Sequence, residues 1–167
     1  MRIGLICSTL VAAMLAATVT VTATAGAAGC SRATAKAAVA KVKPRIAMLT
    51  DTPRLVHPVD LDTVICFDFT HDGRTDLAAT VASGGTAGDI GWLVLVRTPT
   101  GWKLGHGAGG YKIGLFKVGG DVVVSQPVYK KNDPNCCPTG GFNHERWHWN
   151  GKKFAVARYW HTKSYKP

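Results

Sequence analysis

The chain sets two cysteines side by side between prolines, in Asp133-Pro134-Asn135-Cys136-Cys137-Pro138-Thr139-Gly140-Gly141. Neighbouring Cα atoms lie about 3.8 Å apart across a trans peptide, whereas a disulfide ordinarily spans roughly 4.4–6.8 Å. Each cysteine is therefore expected to reach a different, distant partner. In an extended segment successive side chains point to opposite faces, so one loop would clamp elements on both of its sides. The remaining candidates are Cys30 and Cys66. Two pairings follow: Cys30–Cys136 with Cys66–Cys137, or Cys30–Cys137 with Cys66–Cys136. Zinc fits poorly, because adjacent cysteines lack the usual two-residue ligand spacing.

Disulfides need an oxidising compartment. Arg2 precedes an uncharged run from Ile3 to Val21, which leads into Ala23-Thr24-Ala25-Gly26-Ala27. Ala-x-Ala exits of this kind mark cleavage, so residues 1–25 read as a secretory signal peptide. Cys7 leaves with it, and an even set remains. The expected location is secreted or extracytoplasmic, with envelope attachment as a variant. Ala27-Ala28-Gly29-Cys30 offers a second reading, a lipobox whose cysteine is lipidated, but the even cysteine count favours pairing. No transmembrane helix is expected after cleavage, and a monomer is expected. The 20 Lys+Arg against 10 Asp+Glu leave a net charge of +10. Such a domain is drawn to anionic polymers, and export argues against nucleic acid as that polymer.

Residues 26–62 read as an N-terminal helix and a connecting segment. Ser31 to Lys43 is rich in Ala and Lys and should be helical until Pro44 stops it. Arg32, Lys36 and Lys43 share one side, and Ala33, Ala37 and Ala40 form a slim apolar stripe near Val39 and Val42. A solvated basic face is favoured over a contact face.

Residues 63–167 read as an antiparallel β domain that packs with the helix as a single globular domain. Ile65, Phe67 and Phe69 alternate with Val64, Cys66 and Asp68. Leu77, Ala79 and Val81 mark a second strand. Ile90–Arg97 is apolar on both faces, as a buried central strand would be. Trp102–His106 follows a Pro-Thr-Gly turn. Gly119-Gly120 joins Tyr111–Val118 to Val122–Val128, placing Phe116 opposite Val123. Asn150-Gly151 joins Phe142–Trp149 to Lys152–His161. A two-residue turn there puts Trp149 opposite Lys152 and Trp147 opposite Phe154, with Trp147, Phe154 and Val156 in the core. The fold class is mainly β: a meander of about eight strands, as a sheet, partial barrel or sandwich, with one helix and disulfide staples.

Candidate sites are few. Asp68, Thr70, Asp72 and Asp76 place oxygens at alternating positions around Gly73, as structural calcium loops do. The stretch resembles the D-x-N-x-D-G-x-x-D loop of FG-GAP and integrin-like repeats, in a single copy. The competing reading is a turn held by its own hydrogen bonds, with no cofactor. His144 and His148 lie roughly 13 Å apart along a strand, too far to share a metal. Ser83 and Ser125 sit in no nucleophile elbow, and Glu145 is the only glutamate. No catalytic residue is assigned; a hydrolase using His71 and Asp72 is the third reading. Trp149, Lys152, Lys153 and Trp160 are the candidate binding surface for an anionic cell-wall polymer or glycan.

The Cys-Cys-Pro-Thr-Gly-Gly block, followed by Arg146-Trp147-His148-Trp149 and preceded by Gly120 to Tyr129, resembles the C-terminal part of the LppP/LprE family. The resemblance covers roughly residues 60–160. It implies an exported protein or lipoprotein of an actinobacterial envelope and no reaction. The expected role is non-catalytic, binding or structural.

Overall fold

The computed structural model describes residues 30–46 and 60–167. The signal peptide expected over residues 1–25 lies outside them. One helix, α1 (Arg32–Ile46), precedes eight strands: β1 (Leu61–Phe67), β2 (Asp76–Ala82), β3 (Asp89–Thr98), β4 (Gly101–Gly109), β5 (Gly114–Val118), β6 (Asp121–Pro127), β7 (Phe142–Trp149) and β8 (Phe154–Thr162). Every pairing is antiparallel between consecutive strands. They form two four-stranded sheets, β1-β2-β3-β4 and β5-β6-β7-β8.

Three layers result. α1 covers one face of the first sheet, burying Ala35, Ala38, Val39 and Val42 against Leu77, Ala79, Leu93 and Leu95. The second sheet covers the other face, where Phe69, Trp92, Val94 and Val96 meet Ile113, Leu115, Val122 and Phe154. The first sheet is thus apolar on both sides, which explains why β3 reads as a continuous hydrophobic run. The alternation read in β1 holds. Val64 and Cys66 join the helix side, while Ile65 and Phe67 join the inter-sheet side.

Ser31 caps α1: its Oγ accepts from the Thr34 amide at 3.0 Å. The helix differs from expectation in two ways. It runs past Pro44 to Ile46; a proline there loses one backbone bond of the last turn. Its buried stripe is Ala35, Ala38, Val39 and Val42, not Ala33, Ala37 and Ala40, which are exposed. The two valines carry more apolar area than any alanine pair, so they take the inner face. That rotation brings Arg32 to Asp62 at 3.3 Å and Lys36 to Asp60 at 2.8 Å.

The disulfide expectation is overturned. Cys30 pairs with Cys66, with Cα atoms 5.7 Å apart, and Cys136 pairs with Cys137. The reason is layering. Cys66 points to the helix side of the first sheet, beside Cys30. The Cys136–Cys137 loop belongs to the second sheet, which packs on the opposite face. A sheet therefore stands between the sulfurs, and the adjacent pair meets itself.

The last hairpin shifts register. Trp149 faces Phe154 and Trp147 faces Val156, two positions from the expected pairing. Asn150 Oδ1 accepts from the Lys152 and Lys153 amides at 3.1 and 3.0 Å, closing a four-residue loop instead of a two-residue turn. A shift of two keeps the inner face, so Trp147 and Phe154 still point to the core. Val156 does not reach it. It is 48% exposed on edge strand β8, next to a register irregularity. Phe116 pairs with Val123 as expected.

Candidate functional site

The loop between β6 and β7 is organised by one carboxylate. Asp133 accepts hydrogen bonds from the Lys130 amide (2.8 Å), the Thr139 amide (2.7 Å) and the Thr139 hydroxyl (2.8 Å). Those bonds, the Thr139 amide foremost, hold its carboxyl below the usual Asp range. The base of the loop is zipped by Val128 and Gly141: the Val128 amide donates to Gly141 and the Gly140 amide to Val128. At the tip, the Asn135 carbonyl accepts from Lys112 Nζ and, at 2.8 Å, from the Tyr129 hydroxyl. Lys112, from outside the loop, and Tyr129, at its start, thus fix the residue before Cys136.

Beneath this loop, where β6 ends and β5 begins, lies an open cavity of about 340 Å³. Cys136 and Pro138 form one wall, with Tyr129 beside them. Asp62, from β1, and Gly88-Asp89, entering β3, bring the first sheet to the rim. Phe142 and Tyr165 close the far side, their rings 5.4 Å apart at 67°. Tyr165 arrives from the C-terminal tail, which folds back over β5. Its ring lies over Gly114, where any β-carbon would strike it, and packs 5.4 Å from Phe116.

The polar groups here are perturbed. Burial pushes the Asp89 carboxyl above the ordinary Asp range; a hydrogen bond with Thr80 opposes this and the Asp62 charge adds to it. Burial likewise raises Tyr165, and the charges of Asp89 and Asp62 raise it further. A concave site with convergent polar groups, aromatic walls and shifted titrations is the usual form of a small-molecule site.

The residues singled out in sequence fall elsewhere. In the Asp68–Asp76 loop the carboxylates face backbone amides. Asp68 accepts from the Asp72 (3.1 Å) and Gly73 (2.8 Å) amides. Asp72 pairs with Arg74 at 2.7 Å. Asp76, fully buried, accepts from Thr70 and from the Arg97 amide. Among the described residues, no three His, Cys, Asp or Glu side chains gather as metal ligands. His71 packs against Gly120, at the opposite end of the second sheet from the cavity.

Trp149, Lys152, Lys153 and Trp160 do not form one surface. Trp149 packs on Phe154 at 5.1 Å toward the inter-sheet core. Trp160 stacks on His144 on the outer face, with Arg158 over its ring at 5.2 Å. Lys152 and Lys153 are exposed at the hairpin tip. Ser125 and His144 are hydrogen bonded at 2.6 Å, yet both are fully buried, out of reach of any substrate.

Sequence reasoning passed over Asp62, Asp89, Lys112, Tyr129 and Tyr165. They come from five segments, so no local spacing unites them. The one sequence signal was Tyr165, an aromatic in an otherwise polar tail. The chain matches no protein-family model, no curated protein and no solved structure.

Proposed function

We propose that this chain is an exported, envelope-associated β-sandwich that binds a small ligand without transforming it. The observation that carries the reading is the cavity beside Cys136. Five chain segments meet there, and its loop wall is held by Asp133, Lys112 and Tyr129. Export is supported by the leader-like residues 1–25, by the Cys30–Cys66 bond and by the resemblance to LppP/LprE proteins. Among the described residues no helix is long and apolar enough to cross a membrane. Fractionating producing cells tests the location: a mature mass beginning near Gly26–Ala28, outside the cytoplasm, is expected. An uncleaved chain retained in the cytosol contradicts it. A fragment screen followed by amide NMR tests the binding, with shifts expected at Asp89, Ile113 and Phe142.

A second reading rests on a different observation, the Arg158 guanidinium stacked on Trp160 in the outer face of the second sheet. A planar cation on an indole is a surface on which an anionic glycan would settle. Retention on cell-wall material across a salt series tests it; no retention at low salt removes it.

A further inference from the structure

The chemistry of the cavity beside Cys136 narrows its ligand, and this inference rests on the binding reading above. The protein is strongly basic, at +10, yet the cavity is lined by two carboxylates, Asp62 and Asp89, and one ammonium, Lys112. Lys112 is already engaged. Its Nζ donates to the Asn135 carbonyl and lies 5.4 and 5.9 Å from the Tyr111 and Tyr129 ring centres. Among the described residues Asp62 has only the exposed pair with Arg32. Asp89 is half-buried and makes no ion pair among the described residues.

A partly buried carboxylate with no counter-ion among the described residues favours a cationic guest. The guest's nature follows from the walls, which carry the rings of Tyr129, Phe142 and Tyr165. Aromatic faces attract ammonium groups and shelter their carbon substituents. A hard metal ion would want six or more oxygens and finds rings instead. A volume of about 340 Å³ suits a small molecule. We infer that the cavity binds a small organic ammonium, its cation held by Asp89 with Asp62 nearby and its carbon body laid against Tyr129, Phe142 and Tyr165.

The test titrates choline into the oxidised protein, followed by calorimetry and amide NMR. Neohexyl alcohol, the uncharged carbon isostere of choline, and acetate are the comparators. Choline is expected to shift the amides of Asp89, Ile113 and Phe142 and to bind roughly tenfold or more tightly than the alcohol. Asp89→Asn should erase that preference and leave the weak binding of the alcohol unchanged. Asp62→Asn, at an exposed carboxylate, should weaken choline in the same direction by less, and serves if Asp89→Asn does not fold. Equal affinity for choline and the alcohol, preference for acetate, or choline binding unchanged in both variants overturns the ammonium assignment and leaves a binding site of another class. Silence at the cavity with all three probes also overturns it. A broad fragment screen that is silent as well removes the binding reading itself.

Discussion

Ser125 Oγ lies 2.6 Å from His144 Nδ1, directly across the β6–β7 pair, and both residues are fully buried. On its other side His144 Nε2 meets Thr162 Oγ1 at 2.7 Å. Thr162 gives its own hydroxyl hydrogen to the Ser164 carbonyl at 2.8 Å. The Thr162 oxygen must then accept from Nε2–H, and burial, which disfavours the imidazolium, leaves Nδ1 to accept from Ser125. The ring is a neutral imidazole inside a directed chain that ties two strands to the C-terminal tail.

That arrangement sets a pH dependence. Burial holds the His144 imidazole below its ordinary 6.5, and the nearby His161 charge adds to this. Burial also lowers His106, which packs against both Trp92 and Trp147, with ring centres 5.1 and 4.0 Å away. In the window below 6.5 the unfolded chain binds more protons than the folded one. Stability is therefore complete above about pH 6.5 and falls as acid approaches the folded-state values. Thermal melting from about pH 8 down to pH 5 should show this decline, and His144→Gln should flatten it. An unchanged slope in that variant argues against the assigned neutral tautomer.

The two disulfides should contribute very differently. Cys30–Cys66 spans a sequence separation of 36, so opening it releases a long loop and costs about 4 kcal/mol in the chain-entropy view. Cys136–Cys137 closes almost no loop and should contribute little by the same mechanism. Urea denaturation of the Cys30→Ala/Cys66→Ala and Cys136→Ala/Cys137→Ala proteins measures both. Peptide mapping without reductant should show residues 30 and 66 cross-linked and the adjacent pair bonded within one peptide.

The Gly140-Gly141 pair should be intolerant of side chains. A β-carbon on Gly140 strikes the Val128 carbonyl, and one on Gly141 strikes the Thr162 carbonyl. Gly141 also has φ +82°. Gly140→Ala should cost roughly 1–3 kcal/mol from crowding, and Gly141→Ala roughly 2–4 kcal/mol with strain added. Gly73 is the control, with φ +81° but open space around it. Gly73→Ala should therefore cost only roughly 1–2 kcal/mol. Equilibrium unfolding ranks the three.

Asp76 should matter more to stability than any other carboxylate in its loop. It is fully buried and accepts from the Thr70 amide and hydroxyl and from the Arg97 amide. Asp76→Ala leaves those donors unpaired and should cost roughly 2–4 kcal/mol. Asp72→Ala, which removes an exposed pair with Arg74, should cost less than about 1 kcal/mol.

Periodicity alone was enough for the strands. Ile65 and Phe67 against Val64 and Cys66, and Trp92 and Val94 against Leu93 and Leu95, carry their own two-residue alternation, so their faces follow from the chain. Gly119-Gly120 likewise set Phe116 across from Val123 through local turn geometry. Where a side chain intervened, local rules failed: Asn150 caps two amides and moves the last hairpin by two residues. The cysteine partners and the cavity could not be read at all. Which sulfur meets which depends on whether a sheet lies between them. Asp62, Asp89, Tyr129 and Tyr165 become neighbours only when two sheets and a tail close over one another. Alternation and turns are properties of a few consecutive residues; layer order is a property of the whole packed chain.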